Sequence, residues 1–185
     1  MLYTVWHSGR SGSLFLFDYE ARTNFLRGRK ADEIDLRALN FKLYGHSSDH
    51  VRIVISCLKE ALGAETSIAV SPHAAEESSI QRACDRDVFL KPLYKRPTRH
   101  NRDFRLTFET ERPRIKTVKK KAVRSAILCD DVLSTGLTME VYRRILEDEG
   151  IECRGCFAVG HTKTDRSFRY GVFIADSTTT LNTVS

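Results

Sequence analysis

The sequence has no long apolar run. None of its windows approaches the roughly 18 consecutive apolar residues of a membrane-spanning helix. Trp6, His7 and Arg10 interrupt the apolar residues that a signal peptide would need near the start. Of the 185 residues, 41% are hydrophobic and 29% are charged, which is typical of one folded, soluble domain. We therefore expect a cytoplasmic protein without a membrane segment.

The cysteines are present in odd number. The five cysteines are Cys57, Cys84, Cys129, Cys153 and Cys156, a count that argues for reduced thiols and against a disulfide framework. Cys153 and Cys156 form a Cys-x-x-Cys pair, which could be redox-active or half of a zinc site. No second such pair follows, and the pair leads into an expected strand instead of opening a helix. Our interpretation is that both are small buried side chains.

Two common nucleotide-binding signatures are also absent. The chain contains no G-x-G-x-x-G sequence, which argues against a dinucleotide-binding domain. It contains no G-x-x-x-x-G-K sequence either, which excludes a P-loop nucleotide site. No internal repeat or low-complexity tract is present, so these absences leave a single domain of another class.

Acidic residues are few between Lys91 and Arg124. Three of them oppose 13 lysines and arginines, so this segment carries +10 and the rest of the chain −4, against +6 for the whole. Such a segment indicates an anionic partner, which could be the phosphates of a small molecule or a nucleic acid. Because it also contains three prolines, we interpret residues 91–121 as a mobile basic loop, in which "FRLTFE" could pair as a strand.

Predicted strands and helices alternate along the rest of the chain. Short apolar runs bounded by turn residues predict strands, and apolar residues at helical spacing predict helices. The alternation predicts an α/β fold with a largely parallel twisted sheet flanked by helices, in one domain with an N-terminal hairpin or hood (1–40) and a core (41–175). The predicted strands are Leu2 to Trp6, Leu14 to Tyr19, Ser67 to Val70, Ser125 to Cys129, "CFAVG" and "GVFIA", and the predicted helices are Asp49 to Leu62, one ending near Arg86, and Thr138 to Glu149.

The stretch "ILCDDVLSTGLTM", from Ile127 to Met139, carries the clearest chemical pattern. Its Ser-Thr-Gly-x-Thr turn lies between an expected strand and an expected helix, where backbone N–H groups, hydroxyls and a helix N-terminus can converge on a phosphate. Asp130 and Asp131 would repel that phosphate, so they must face neutral hydroxyls, a metal or a cation. A ribose diol beside a 5′-phosphate matches this spacing. The alternative is an acidic strand end followed by an ordinary serine helix cap.

Together with Ala126, this stretch resembles the 5-phosphoribosyl-1-pyrophosphate (PRPP) binding motif of type I phosphoribosyltransferases, which is a strand, two acidic residues and a Thr/Ser-Thr-Gly-x-Thr loop. A weaker similarity extends from Phe41 to Lys163 and follows the order of elements in the ComF-like branch of that family, beginning with "FKLYG". The resemblance implies a type I phosphoribosyltransferase-like fold. It also implies transfer of 5-phosphoribosyl from PRPP to a nucleobase-like nitrogen acceptor, with release of pyrophosphate.

The resemblance implies roles for individual residues. Asp130 and Asp131 are the implied catalytic pair, which would hold the ribose hydroxyls and favour positive charge at C1 as pyrophosphate leaves. Mg²⁺ would arrive on PRPP, with no metal ligand supplied directly by the protein. The implied 5′-phosphate loop is Ser134, Thr135, Gly136, Leu137 and Thr138, the implied pyrophosphate loop is Ser71, Pro72, His73 and Ala74, and the implied residues of the flexible basic loop are Lys91, Lys95, Arg96, Arg99 and Arg102.

Two features depart from the family pattern. ComF-like proteins carry an N-terminal cysteine zinc module, whereas residues 1–40 contain no cysteine. The implied pyrophosphate loop lacks lysine and arginine and runs into Glu76 and Glu77, which would repel pyrophosphate if they faced it. The alternatives are a non-catalytic sensor of PRPP or a nucleotide on the same fold, or a nucleic-acid-associated protein that uses residues 91–124 and their aromatics. We also expect a homodimer.

Overall fold

The computed structural model describes residues 2–8, 13–19, 37–46, 48–72, 78–84, 87–94, 103–120, 122–133, 136–162, 172–176 and 179–183. Within these ranges no helix is both long and apolar enough to cross a membrane. The strands are β1 (Leu2–Ser8), β2 (Ser13–Tyr19), β3 (Ser67–Val70), β4 (Val88–Pro92), β5 (Ile115–Lys119), β6 (Ser125–Leu133), β7 (Glu152–Thr162), β8 (Val172–Asp176) and β9 (Thr179–Thr183). The helices are α1 (Arg37–Tyr44), α2 (Ser48–Leu62), α3 (Ser79–Ala83), α4 (Phe104–Arg114) and α5 (Leu137–Asp148).

The described strands form one sheet in the order β5-β4-β3-β6-β7-β2-β1-β8-β9. Each adjacent pair among β4, β3, β6, β7 and β2 is parallel. The strands outside this group, β5 at one edge and β1, β8 and β9 at the other, pair antiparallel. The prediction of an α/β fold with a largely parallel sheet is therefore confirmed. The strand that contains both aspartates, β6, is the middle one of the five parallel strands.

The N-terminal hairpin predicted from the apolar and aromatic runs is present. β1 and β2 pair antiparallel, with Trp6 opposite Phe15. β2 also pairs parallel with β7, so the hairpin extends the main sheet. The run "GVFIA" contributes β8, which pairs antiparallel with β1 and therefore lies outside the five parallel strands.

Helices cover both faces of the parallel strands. A buried apolar cluster joins α1, α2 and α3 to one face and includes Phe41 and Val54. A second cluster joins α5 to the other face and includes Met139 and Ile145, with Phe108 of α4 packed against it. Burial on both faces explains why the central strands read as continuous apolar runs in the sequence.

The two long helices follow the apolar spacing that predicted them. α2 buries residues at the i, i+3, i+4 and i+7 positions of one face, and α5 buries a similar stripe. The glycines that follow them, Gly63 and Gly150, have φ of 106° and 73°, a conformation that stops a helix and that glycine adopts without strain. Both predicted helices are confirmed to within one residue at each end.

The basic segment differs from its prediction. Most of the described part of residues 91–121 is regular structure and not a loop, because it forms the end of β4, all of α4 and all of β5. The prediction of "FRLTFE" as a strand is wrong, since it lies in α4. The side chain of Asp103 caps this helix by accepting a hydrogen bond from the Leu106 N–H at 2.9 Å. The residues that α4 buries are polar, so a search for apolar periodicity does not find it.

A buried ion pair anchors α4 to α5. Glu111 and Arg114 are only 1% and 6% exposed. The guanidinium of Arg114 donates to one carboxylate oxygen of Glu111 through Nε at 3.0 Å and also through Nη2. The hydroxyl of Tyr142, on α5, donates to the same oxygen at 3.1 Å, and Arg114 donates through Nη1 to the carbonyl oxygen of Tyr94 at 3.3 Å. Charges that suggested a mobile loop therefore hold a helix against the body of the protein.

We expect Glu111→Gln to lower the free energy of unfolding by about 3 kcal/mol, because a buried guanidinium loses its counter-charge. Tyr142→Phe removes one hydrogen bond and should cost about 1 kcal/mol. Glu109→Gln is the matched control, since Glu109 pairs with Arg105 on the exposed side of the same helix, and its effect should stay below about 0.5 kcal/mol. Urea unfolding followed by circular dichroism measures all three. Equal stability of the two glutamate variants would contradict the anchoring role.

Candidate functional site

The direction in which the chain crosses the sheet reverses between β3 and β6. From β3 the chain continues to its neighbour β4, and from β6 it continues to β7 on the opposite side. At such a reversal, the loops at the carboxyl ends of the two strands diverge and leave a crevice, and this is where open α/β sheets bind ligands. The candidate site is therefore the region at the carboxyl ends of β3 and β6.

Ser71 begins the loop after β3, directly beside β6. Its backbone N–H donates to the carbonyl oxygen of Cys129 at 2.9 Å, and Cys129 immediately precedes Asp130. Ser71 is 2% exposed, whereas Pro72 after it is partly exposed. The structure thus brings the start of the implied pyrophosphate loop next to the implied catalytic pair. The rest of that loop and the acids after it lie outside the described residues: His73, Ala74, Glu76 and Glu77.

Asp130 and Asp131 belong to β6 itself and do not follow it. The strand continues to Leu133, and Asp130 pairs with Ala158 of β7. The two aspartates are 8% and 7% exposed. The Oδ1 atom of Asp130 accepts a hydrogen bond from the backbone N–H of Asp131 at 2.7 Å. Two adjacent acids are therefore held almost out of solvent at the end of the central strand, an arrangement that requires compensating partners.

The strand directs the two aspartates to opposite faces of the sheet. Leu128 belongs to the apolar cluster on the α5 face, and Cys129 belongs to the cluster on the α1 face. Because successive residues of a strand alternate between faces, Asp130 shares the face of Leu128 and Asp131 shares the face of Cys129. The carboxylates thus flank the end of β6 from two sides instead of standing in one row.

Lys42 of α1 is a site residue that no motif predicted. Its Nζ lies 3.1 Å from Oδ2 of Asp131, and the Lys42 side chain is 42% exposed while that of Asp131 is 9% exposed. On the α1 face, the ammonium of Lys42 offsets the negative charge of Asp131. Because it also remains accessible to solvent, it can contact an anion that enters the crevice.

The main chain around Lys42 is held by the fold. Phe41 is fully buried, and Gly45 donates its N–H to the Phe41 carbonyl oxygen at 2.8 Å where α1 ends. The Ser79 hydroxyl, on α3, donates to the carbonyl oxygen of Lys42 at 3.1 Å. Only the side chain of Lys42 needs to move if its ion pair with Asp131 opens. The sequence "FKLYG" contains the helix end, but the approach of Lys42 to Asp131 depends on tertiary packing.

Gly136 precedes α5 in the left-handed conformation, with φ 80° and ψ −9°. A residue with a Cβ atom rarely adopts these angles, so this position favours glycine for a backbone reason. Gly136 supplies no side-chain cap to the helix, and the N-terminus of α5 carries the positive end of the helix dipole. Leu137 and Thr138 follow in the first turn and are partly exposed. Two implied members of the 5′-phosphate loop lie outside the described residues: Ser134 and Thr135.

Glu140 is the acidic residue in the first turn of α5. The Nε atom of Arg143 donates to it at 2.9 Å, and this hydrogen bond lowers the pKa of Glu140 below its ordinary value. The carboxylate is therefore charged at neutral pH, but the adjacent guanidinium offsets its charge. Its repulsion of an anion at the start of the helix is correspondingly weaker.

Lys91 lies at the carboxyl end of β4 and is exposed. Because β4 and β6 are both parallel to β3, it lies at the same end of the strands as Asp130. Several other basic residues between Lys91 and Arg124 already contact carboxylates or a carbonyl oxygen, and these are Arg105, Arg112, Arg114 and Lys119. Their charges contribute to the packing of α4 and β5. The remaining implied residues of the basic loop lie outside the described residues: Lys95, Arg96, Arg99 and Arg102.

The acids at the end of β6 fit a magnesium ion that brings its own ligands. Among the described residues, no group of three or more histidines, cysteines, aspartates or glutamates is arranged to hold a metal ion. Mg²⁺, however, commonly binds through one or two carboxylates together with substrate phosphates and water. Asp130 and Asp131 lie on opposite faces of the sheet, so an ion carried by a diphosphate would take one of these carboxylates and the rest of its ligands from phosphate and water.

Comparison with known proteins adds no relative to this description. No model of a protein family matches the chain, and no curated protein matches its sequence. The resemblance to type I phosphoribosyltransferases therefore rests on the residues from Ala126 to Met139 and on the order of elements around them. The chemistry of the site is inferred from its residues and their geometry.

Proposed function

We propose that the protein is a Mg²⁺-dependent phosphoribosyltransferase, which transfers 5-phosphoribosyl from PRPP to a nitrogen of a nucleobase-like acceptor and releases pyrophosphate. One observation carries the proposal. Two nearly buried aspartates lie near the carboxyl end of the central parallel strand, which is one of the two strands between which the order of chain connections across the sheet reverses. Acids at a ligand-binding crevice, followed by a left-handed glycine and a helix N-terminus, match a ligand that combines hydroxyls with a phosphate.

The two ends of PRPP have separate partners in this proposal. The 5′-phosphate binds at the turn from Ser134 to Thr138, where the N-terminus of α5 attracts negative charge. The ribose hydroxyls lie over the end of β6, between Asp130 and Asp131, whose carboxylates accept hydrogen bonds from them. The diphosphate lies towards Ser71 and Lys42, whose partly exposed side chain reaches the acids and pairs with Asp131.

The aspartates also favour the reaction itself. The C1–O bond to pyrophosphate breaks and its electrons leave with pyrophosphate, while the lone pair of the acceptor nitrogen forms the new C1–N bond and the displaced proton passes to water. Positive charge develops at C1 in the transition state. Two carboxylates held nearly out of solvent stabilise that charge more than they stabilise the neutral ribose of the ground state. When bound to the diphosphate, Mg²⁺ would supply positive charge that offsets the negative charge of the leaving group.

A sensor that binds PRPP or a nucleotide without turnover is the second candidate. The sequence observation that favours it is Glu76-Glu77, because acids close to the pyrophosphate loop oppose a diphosphate. Nucleic-acid binding through residues 91–124 is less favoured. Part of the charge of that segment already contacts acids of the same chain, such as Glu111 and Glu149.

Lys42→Met should weaken PRPP binding about tenfold, which corresponds to the loss of one charge-assisted contact of about 1.4 kcal/mol. Isothermal titration calorimetry with PRPP and Mg²⁺ measures the affinity. Lys59→Met is the matched control, because Lys59 lies in the last turn of α2, which leads to the amino end of β3 and not to the crevice. Equal affinities of the two variants would remove Lys42 from the site.

Replacing both Asp130 and Asp131 with asparagine separates an enzyme from a sensor. The amides keep shape and hydrogen bonding but lose the negative charge that acts chiefly in the transition state. In an enzyme, kcat should fall at least about a hundredfold while PRPP affinity changes less than about tenfold. Pyrophosphate release is measured with purines, pyrimidines and smaller amines as acceptors. PRPP binding by the wild type without turnover on any acceptor would instead support the sensor.

A further inference from the structure

Cys153 and Cys156 lie on the same face of β7, although they are three residues apart. In a regular strand, residues i and i+3 point to opposite faces. Here Cys153 is paired with Ala126 and Cys156 with Leu128, and both of these β6 residues belong to the cluster on the α5 face. Cross-strand partners share a face, so both thiols point to that side.

A β-bulge makes this arrangement possible. The register shifts between Ala126 and Ile127, whose partners are Cys153 and Gly155, so Arg154 is the inserted residue. Gly155 faces the other side, because a Cβ atom on it would meet Leu62 of α2 at 3.5 Å. Nη1 of Arg154 donates to the Leu62 carbonyl oxygen at 2.6 Å and to Glu65 at 2.9 Å. These contacts with the end of α2 hold the bulge in place.

The two thiols differ in exposure and contact each other. Cys153 is partly exposed, whereas Cys156 is 4% exposed. A hydrogen bond from the Cys156 thiol to the Cys153 sulfur lowers the pKa of Cys153, and the charge of Arg143 acts in the same direction. Burial and the nearby Glu60 instead raise the pKa of the Cys57 thiol, which lies on α2. A partly exposed thiol with a lowered pKa beside a second thiol is the arrangement of redox-sensitive cysteine pairs.

We propose that Cys153 and Cys156 form a modification site at which a hydroperoxide produces an intrastrand disulfide. The Cys153 thiolate attacks the peroxide O–O bond, takes one oxygen as sulfenic acid and releases water once the leaving oxygen is protonated. The Cys156 thiol then attacks the sulfenic sulfur, and the hydroxyl group leaves as water. Two thiols and one hydrogen peroxide give one disulfide and two waters. This site is independent of the proposed phosphoribosyl transfer.

The chain offers a direct assay, because trypsin cleaves between the two cysteines at Arg154. The fully reduced protein is treated with one equivalent of hydrogen peroxide, blocked with iodoacetamide, digested without reductant and analysed by mass spectrometry. We expect residues 145–154 and 155–163 to appear as one disulfide-linked species, two hydrogen masses lighter than the separate peptides. Reduction before digestion should separate them. Cys57 should be recovered as the alkylated thiol.

Single variants test the order of the two steps. Cys156→Ser should stop the reaction at Cys153 sulfenic acid, which dimedone traps, because the second thiol is missing. Cys153→Ser should leave Cys156 unoxidised, since Cys156 is buried. Cys84→Ser is the matched control, because Cys84 is buried on the opposite face of the sheet, and it should leave the linked peptides unchanged. Absence of the linked species in the wild type, or oxidation of Cys57 in preference to Cys153, would overturn the proposal.

Discussion

The position of β6 between β3 and β7 is the constraint on which the rest of the structure depends. Parallel pairing on both sides leaves no free edge on this strand, so its residues must suit burial on two faces. It also makes β6 one of the two strands between which the order of chain connections across the sheet reverses. The crevice opens at the carboxyl end of β6. Asp130 and Asp131 are the charged residues of β6, and they lie where that crevice begins.

Keeping two adjacent carboxylates nearly buried is unfavourable unless neighbouring groups compensate for the lost hydration. Part of that compensation is visible on the α1 face, where Lys42 contacts Asp131. In the proposed function, ligand hydroxyls would add hydrogen bonds to these carboxylates. A second set of buried polar residues lies on the opposite face and consists of Glu111, Arg114 and Tyr142. These residues hydrogen-bond to one another and hold α4 against α5. The two sets also differ in exposure, since the Lys42 side chain is 42% exposed and Glu111 and Arg114 are buried.

The sequence predicted those strands and helices whose buried residues are apolar and regularly spaced. The central strands and the helices α2 and α5 are amphipathic or wholly apolar, so their periods are visible in the residues themselves. Prediction from the sequence failed for α4, whose buried residues Thr107, Glu111 and Arg114 are polar. It could not find Lys42 or the shared face of the two cysteines. The position of Lys42 depends on the packing of α1 against β6, a strand distant in sequence. The shared face of the cysteines depends on a bulge, which inserts one residue and so changes the side of the sheet to which the following residues point.

Binding of a ribose phosphate in the crevice at the end of β6 can be measured by titrating the protein with ribose 5-phosphate and recording amide ¹H–¹⁵N spectra. We predict saturable shifts at Asp131 and at Gly136 to Met139, with ribose alone giving none, because the phosphate anchors the ligand. Thr135→Glu should abolish these shifts by placing negative charge at the phosphate position. Shifts confined to residues 103–120, or equal shifts in the variant, would contradict the account.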